Sequence, residues 1–277
     1  MLVTDLDRAR HLAQPLGWPA GTPADLPTAY ATALAVRAVR IAAGDVAVGY
    51  KVGFTNRTLW PRYEVYAPIW GTVWQSSLTQ LVAGTPNAGV VSLQGLCEPR
   101  IEPEIVFGLR EAPPPDCTLL QLVDVLDWVA HGFEIVHTHF PAWKFTAAQA
   151  VADAGLHGRL LVGHRVMLAP GMASGALVQA LAGLRLGLYA DGVLKEEGVG
   201  ANVLDGPVQA LLHFVQSLRA TPGAPPLRPG DVVTTGTLTD AWPVQAGQSW
   251  KTELGGIDAM EAASVAGALQ GLSVRFE

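Results

Sequence analysis

The stretch Glu98-Pro99-Arg100-Ile101-Glu102-Pro103-Glu104-Ile105-Val106-Phe107 holds the residues best suited to chemistry. Successive side chains of a strand point to opposite faces, so Glu102 and Glu104 project together while Ile101, Ile105 and Phe107 pack elsewhere. Two carboxylates about 4 Å apart repel by roughly 4 kcal/mol at an effective dielectric near 20. A hard divalent ion removes that cost and takes oxygen ligands by preference, which selects Mg²⁺, Mn²⁺ or Ca²⁺. The same Glu-x-Glu spacing also occurs on the solvated face of edge strands. A third acid favours the ion: Glu134, in Gly132-Phe133-Glu134-Ile135-Val136, is again a lone carboxylate in a short apolar run of strand character. Three acids on two strands make a facial oxygen site with positions left for substrate and water.

Two further stretches carry polar groups where apolar ones would be expected. Val46 to Asn56 reads as a strand with Lys51 among apolar neighbours. A lysine there is costly to bury unless a carboxylate, a phosphate or a substrate acid answers it, the alternative being a snorkelling side chain at the strand edge. Val232-Val233-Thr234-Thr235-Gly236-Thr237 follows the turn Pro229-Gly230-Asp231. Its hydroxyls and the Gly236 amide suit an anion, although a threonine-rich run is also simply good strand sequence.

The elements that must position these groups are mixed. Apolar spacing predicts a helix from about Pro27 to Ala43 and another from Pro207 to Leu218. Thr118-x-x-Gln121 is a capping box for a helix running to about Ala130, and a further helix is expected over Trp143 to Ala154. Strands are expected at Arg159 to Gly163 and at Leu272 to Phe276. A hairpin turning at Asp191-Gly192 joins Leu184–Ala190 to Val193–Glu196. Trp60, Tyr63, Tyr66, Trp70 and Trp74 line a pocket or an oligomer interface, or enter the core. Strands and helices without regular alternation indicate an α+β fold, divided into a helical N-terminal region (1–48) and a β-rich catalytic domain (49–277).

With 277 residues, 49% of them hydrophobic and 15% charged, the chain can bury a sizeable core. The net charge of −6 and the lack of a basic, aromatic-interleaved patch argue against nucleic acid or an anionic membrane surface as partner. With no leader pattern and no apolar run of membrane-spanning length, a cytoplasmic protein is expected. Cys97 and Cys117 form no C-x-x-C arrangement and read as ordinary thiols. Dinucleotide, Walker and nucleophile-elbow signatures are missing.

Five motifs together resemble the fumarylacetoacetate hydrolase superfamily, in its branch of 2-oxo-4-pentenoate hydratases and 4-oxalocrotonate decarboxylases. They are Gly49-Tyr50-Lys51-Val52-Gly53-Phe54-Thr55, Pro99 to Ile105, Phe133-Glu134-Ile135-Val136, Gly200-Ala201-Asn202-Val203-Leu204 through Pro207, and Pro229-Gly230-Asp231 through Gly236. The resemblance implies a mixed β-roll with Glu102, Glu104 and Glu134 as ligands of Mg²⁺ or Mn²⁺. It further implies that Lys51 reaches the substrate and that Thr234, Thr235, Gly236 and Thr237 help to hold its carboxylate. The implied activity is a lyase, hydratase or decarboxylase, acting on a small 2-oxo acid or its enol through a metal-stabilised enolate. A place in aromatic catabolism and a homo-oligomer, or a complex with a paralogue, are implied as well.

The chain departs from that pattern in two places. Relatives carry a proton-transferring Asp shortly after the strand at Gly71-Thr72, where this chain reads Val73-Trp74-Gln75-Ser76-Ser77. The small hydroxyl residue that hydratases place before the Gly near 158 is also missing, and His157 stands there as a candidate acid or base. Glu64 is a second candidate. The departures keep two alternatives open, a C–C bond hydrolase of acylpyruvates or β-diketones and a non-catalytic binder of metal and oxo acid.

Overall fold

The two acid-bearing stretches lie side by side. In the computed structural model, which describes residues 2–16, 22–57, 60–63, 66–171, 174–255 and 268–277, β5 (Arg100–Leu109) and β6 (Leu126–Val136) form a long antiparallel pair. Its register sets Glu102 directly opposite Glu134. β6 starts eight residues before Glu134, where a helix was expected to continue. The capping box at Thr118 and Gln121 does form, but α4 stops at Asp124 (Leu119–Asp124). Leu126, Trp128, Val129 and Phe133 are β-branched or bulky residues that gain more from the β5 ladder than from a further helical turn.

Seven more strands complete the path of the larger sheet or extend it. These are β1 (Ala47–Gly53), β2 (Ile69–Trp74), β3 (Leu78–Gln80), β7 (His157–Val162), β8 (Val166–Met167) and β11 (Val232–Thr237), with β12 (Trp242–Pro243) beside β5. The order is β2-β1-β11-β5-β6-β7-β3, with β8 pairing β6. Lys51, the three glutamates and the threonine-rich strand thereby fall on four neighbouring strands. A second sheet has the order β10-β9-β13-β14-β4, from β4 (Ala88–Val91), β9 (Arg185–Ala190), β10 (Val193–Val199), β13 (Ser249–Gly255) and β14 (Ser273–Phe276). Asp191 and Gly192 both have positive φ in the β9–β10 turn, as the hairpin signal requires. Mixed sheets with helices on their faces make this an α+β fold.

The helices cover the sheets. α2 (Leu26–Ala42) starts at the Asp25 cap and packs on β2, where Tyr30 stacks on Trp70 at 4.6 Å and its hydroxyl accepts the Trp70 N–H. α1 (Leu2–Leu12), a helix that no sequence pattern marked, lies on α2 and contributes Leu6 to the main core. The segment expected as a helix over Trp143–Ala154 is helical only at α5 (Ala147–Ala152), because a Thr146–Gln149 capping box fixes its start there. α6 (Ser174–Gly183) and α7 (Pro207–Ala220) pack together, and α7 buries Leu211, Phe214, Val215 and Leu218. Among the aromatics of the 60–74 stretch, Trp70 and Trp74 are core residues of β2, Trp60 sits in the short α3 (Trp60–Tyr63) and Tyr66 is exposed. Glu64 lies outside the described residues.

Candidate active site

The period of β5 and the register of β6 bring Glu102, Glu104 and Glu134 together, each offering a carboxylate oxygen within 4.8 Å of the others. Glu104 and Glu134 are fully buried and Glu102 is partly so. Each acid has its own support. The Gly236 N–H donates to Glu104 Oε2 at 2.7 Å, which the chain achieves through an irregularity in the β11–β5 register between Thr234 and Thr237. Gly236 takes φ +98°, and a Cβ there would lie 1.8 Å from Thr55 Oγ1, so only glycine fits. His157 Nδ1 donates to Glu134 Oε1 at 2.8 Å, while its Nε2 pairs with Ser77 Oγ at 2.8 Å.

Lys51, buried in β1, places its Nζ 3.2 Å from Glu134 Oε2. Burial by itself would lower its pKa, but Glu134, Glu102 and Glu104 outweigh this and hold the ammonium above its ordinary range. The acids respond in opposite directions. Burial and mutual repulsion push Glu104 well above the carboxylate range and Glu102 up to about 7, while Lys51 and the His157 bond overcome burial and keep Glu134 low.

These residues fit a divalent cation on their own chemistry. Three carboxylates against one ammonium leave two negative charges uncompensated, and Glu104 Oε1 is buried with no hydrogen-bond partner. All three ligands are hard oxygens, the donor type of Mg²⁺, Mn²⁺ and Ca²⁺.

A cavity of about 130 Å³ opens beside the acids. Its polar wall includes Lys51, Glu102, Thr55, Asn56, Thr237 and Asp240. Phe54, Ile69, Val136, Phe145 and Leu156 form the apolar wall, and the Arg100 guanidinium lies 4.0 Å over the Trp143 ring at the rim. Of the 234–237 segment, Thr237 faces this cavity. The Thr235 hydroxyl donates to the Ile105 carbonyl, and the Thr234 hydroxyl is buried without a partner. His157 lines a separate cavity behind Glu134, with both ring nitrogens engaged. Gln75 and Ser76 are exposed, and Ser76 donates to Asp45. Ser77, which no sequence signal marked, is the residue of that stretch that connects to the acids.

Gly71 of β2 explains how His157 is delivered. A Cβ at Gly71 would meet the Ala154 carbonyl oxygen at 2.0 Å, so glycine lets the 3-10 turn Ala154–Leu156 lie directly on β2 just before His157 opens β7.

No family profile matches the chain. It is 27% identical over 224 residues to a 2-hydroxyhexa-2,4-dienoate hydratase of Comamonas testosteroni, covering 79% of this chain and 78% of the relative. It is 28% identical over 229 residues to a 4-oxalocrotonate decarboxylase of Pseudomonas sp. (strain CF600), covering 82% and 81%. The structure of 4-oxalocrotonate decarboxylase from Pseudomonas putida G7, complexed with magnesium and adipate, superposes with a TM-score of 0.83 at 23% identity, covering 100% of this chain and 96% of that one. The chain thus has the fold of the fumarylacetoacetate hydrolase superfamily and is homologous to its dienoate hydratases and 4-oxalocrotonate decarboxylases.

Proposed function

We propose that this protein is a divalent-metal-dependent lyase that hydrates or decarboxylates a small 2-oxo acid or its enol. The observation that carries the reading is the buried triad Glu102, Glu104 and Glu134 with Lys51 beside it on the wall of the cavity. The three glutamates would hold the ion, Mg²⁺ or Mn²⁺. When bound, it supplies Lewis-acid polarisation to the carboxylate and 2-oxo oxygens of the substrate.

The chain's own residues do the rest. Lys51, kept protonated by the acids around it, stabilises negative charge that develops on the substrate and can hand over a proton. Hydration and decarboxylation both push electrons toward the 2-oxo group, so one arrangement serves either. His157 and Ser77 act as positioning residues, fixing the Glu134 carboxylate through a hydrogen-bonded chain. Thr237 and Asn56 offer polar contacts for the substrate head, and the apolar wall takes its carbon chain. Asp240 supplies a rim carboxylate where the missing Asp of the 75–76 stretch cannot. The hydrolase alternative calls for a positioned water and a histidine or glutamate base; among the described residues no histidine lines this cavity, and Glu102 is the glutamate that does.

The test is calorimetric titration of oxalate, a mimic of the 2-oxo acid enolate, with Mg²⁺ and again after chelation. The expected result is binding only with the ion, followed by water addition to dienoates or CO₂ release from oxalocrotonates. Absence of oxalate binding in both states would overturn the proposal.

A further inference from the structure

We propose that Cys97, His137 and His139 form a second metal site, one for a soft transition-metal ion of the zinc class, with Asp153 orienting His139. The three side chains each offer a ligand atom within 4.8 Å of the others, and all three residues are buried. His137 and His139 follow the end of β6 two residues apart, the spacing that brings side chains to one side of an extended chain. Their rings meet edge to face at 4.8 Å. The Cys97 N–H donates to His137 Nδ1 at 3.3 Å, which brings the cysteine to the pair; a neutral imidazole has one lone pair, so His137 gives up this long contact when it becomes a ligand.

His139 is built as a ligand. Its Nδ1 bonds Asp153 Oδ1 at 2.6 Å, and Asp153 Oδ2 in turn accepts the His139 N–H at 2.8 Å and the Thr138 hydroxyl at 3.3 Å. With the ring proton on Nδ1, facing the carboxylate, the lone pair is on Nε2, and that atom is buried without any partner. An orphaned buried acceptor costs about 1–3 kcal/mol. A carboxylate on one imidazole nitrogen and a metal on the other is the usual way such a ring is used. The charges close as well: a Cys97 thiolate and the Asp153 carboxylate together balance one divalent ion, the thiol proton passing to solvent on binding.

The donor set separates this site from the three glutamates. Thiolate and imidazole select zinc and its soft neighbours, whereas carboxylates select the hard ions. His139 and Asp153 next to a cysteine would also suggest a nucleophilic thiol, but Cys97 is buried and lines neither the cavity behind Glu134 nor the one at the glutamates. His137 and His139 do line the cavity behind Glu134, so the fourth position of a tetrahedral ion is open to water from that side. An ion here ties together the segment entering β5, the segment leaving β6 and the residue before the 3-10 turn that leads to His157. These are the three stretches that position the glutamates and their support.

Cobalt(II) titration of the chelated protein in excess Mg²⁺ tests the site. The expected result is one equivalent bound with a near-ultraviolet thiolate-to-cobalt charge-transfer band. That band should persist in Glu102→Ala and Cys117→Ser and vanish in Cys97→Ser. Asp153→Asn should weaken cobalt binding by about 10–100-fold while the band keeps its position, a readout that stands even if Cys97→Ser fails to fold. No charge-transfer band in the wild-type protein, or a band that survives Cys97→Ser, would overturn the proposal.

Discussion

Removing the divalent ion from the glutamate site should destabilise the fold, and the geometry sets the scale. Carboxylate oxygens within 4.8 Å of one another repel pairwise by about 3.5 kcal/mol or more at an effective dielectric of about 20. Lys51, 3.2 Å from Glu134, answers one of the three charges. The other two are relieved by an ion or by bound protons, and proton uptake leaves the site without its ligands in working form. An ion at one hundred times its dissociation constant adds about 2.7 kcal/mol, which in a domain of this length is about 5–10 °C in Tm. Differential scanning calorimetry of the chelated protein, before and after Mg²⁺ alone is restored, should show a rise of that size. Glu104→Gln should melt close to the chelated wild type, because burial and the neighbouring acids already favour the protonated form of Glu104 when no ion is bound, and should no longer respond to Mg²⁺. An equal Mg²⁺ response in Glu104→Gln, or none in the wild type, would refute the assignment of these acids as ligands.

Two substitutions probe the supports of the site. Lys51→Met should lower kcat by about 10²–10⁴-fold, the range for losing a positioned proton donor, and steady-state kinetics at wild-type level would remove Lys51 from the mechanism. Gly236→Ala forces a Cβ against Thr55 and a strained φ, costing about 1–3 kcal/mol or more. Since it also displaces the amide that holds Glu104, Mg²⁺ affinity should fall together with Tm. A protein that loses neither would show the Gly236 contact to be dispensable.

What could be read from the sequence was what depends on short-range pattern. The period of two in Glu102-x-Glu104, the capping box at Thr118 and the Asp191-Gly192 turn each specify their local geometry within a few residues. The length of β6 could not be read in that way, because Leu126 to Val136 is mostly apolar, interrupted by Asp127, His131 and Glu134 without a strict alternation, and only the β5 partner decides that it extends. The same limit hid Ser77. The Gln75-Ser76-Ser77 stretch stood out for the carboxylate it lacks, while the link from Ser77 to Glu134 runs through His157, 80 residues away. Cys97 read as an ordinary thiol for the same reason. His137-Thr138-His139 was the available signal, yet its meaning depends on Asp153 and on a cysteine 40 residues upstream being folded against it.

Charge balance offers a reason why so much polarity is tolerated in this core. A buried carboxylate is expensive unless paired, and a single buried pair often does no better than apolar residues of equal volume. Here neither cluster is a simple pair. Glu102, Glu104, Glu134 and Lys51 sum to two negative charges, and a Cys97 thiolate with Asp153 sums to two more, so each group becomes neutral with one divalent ion. The two groups share the β5–β6 framework but differ in softness, which disfavours the hard ion at the thiolate and imidazole donors. On this argument His157 belongs to neither ion. Burial lowers its pKa despite the Glu134 bond, and as a neutral ring it donates to Glu134 and accepts from Ser77, supporting the glutamate site without adding charge to it.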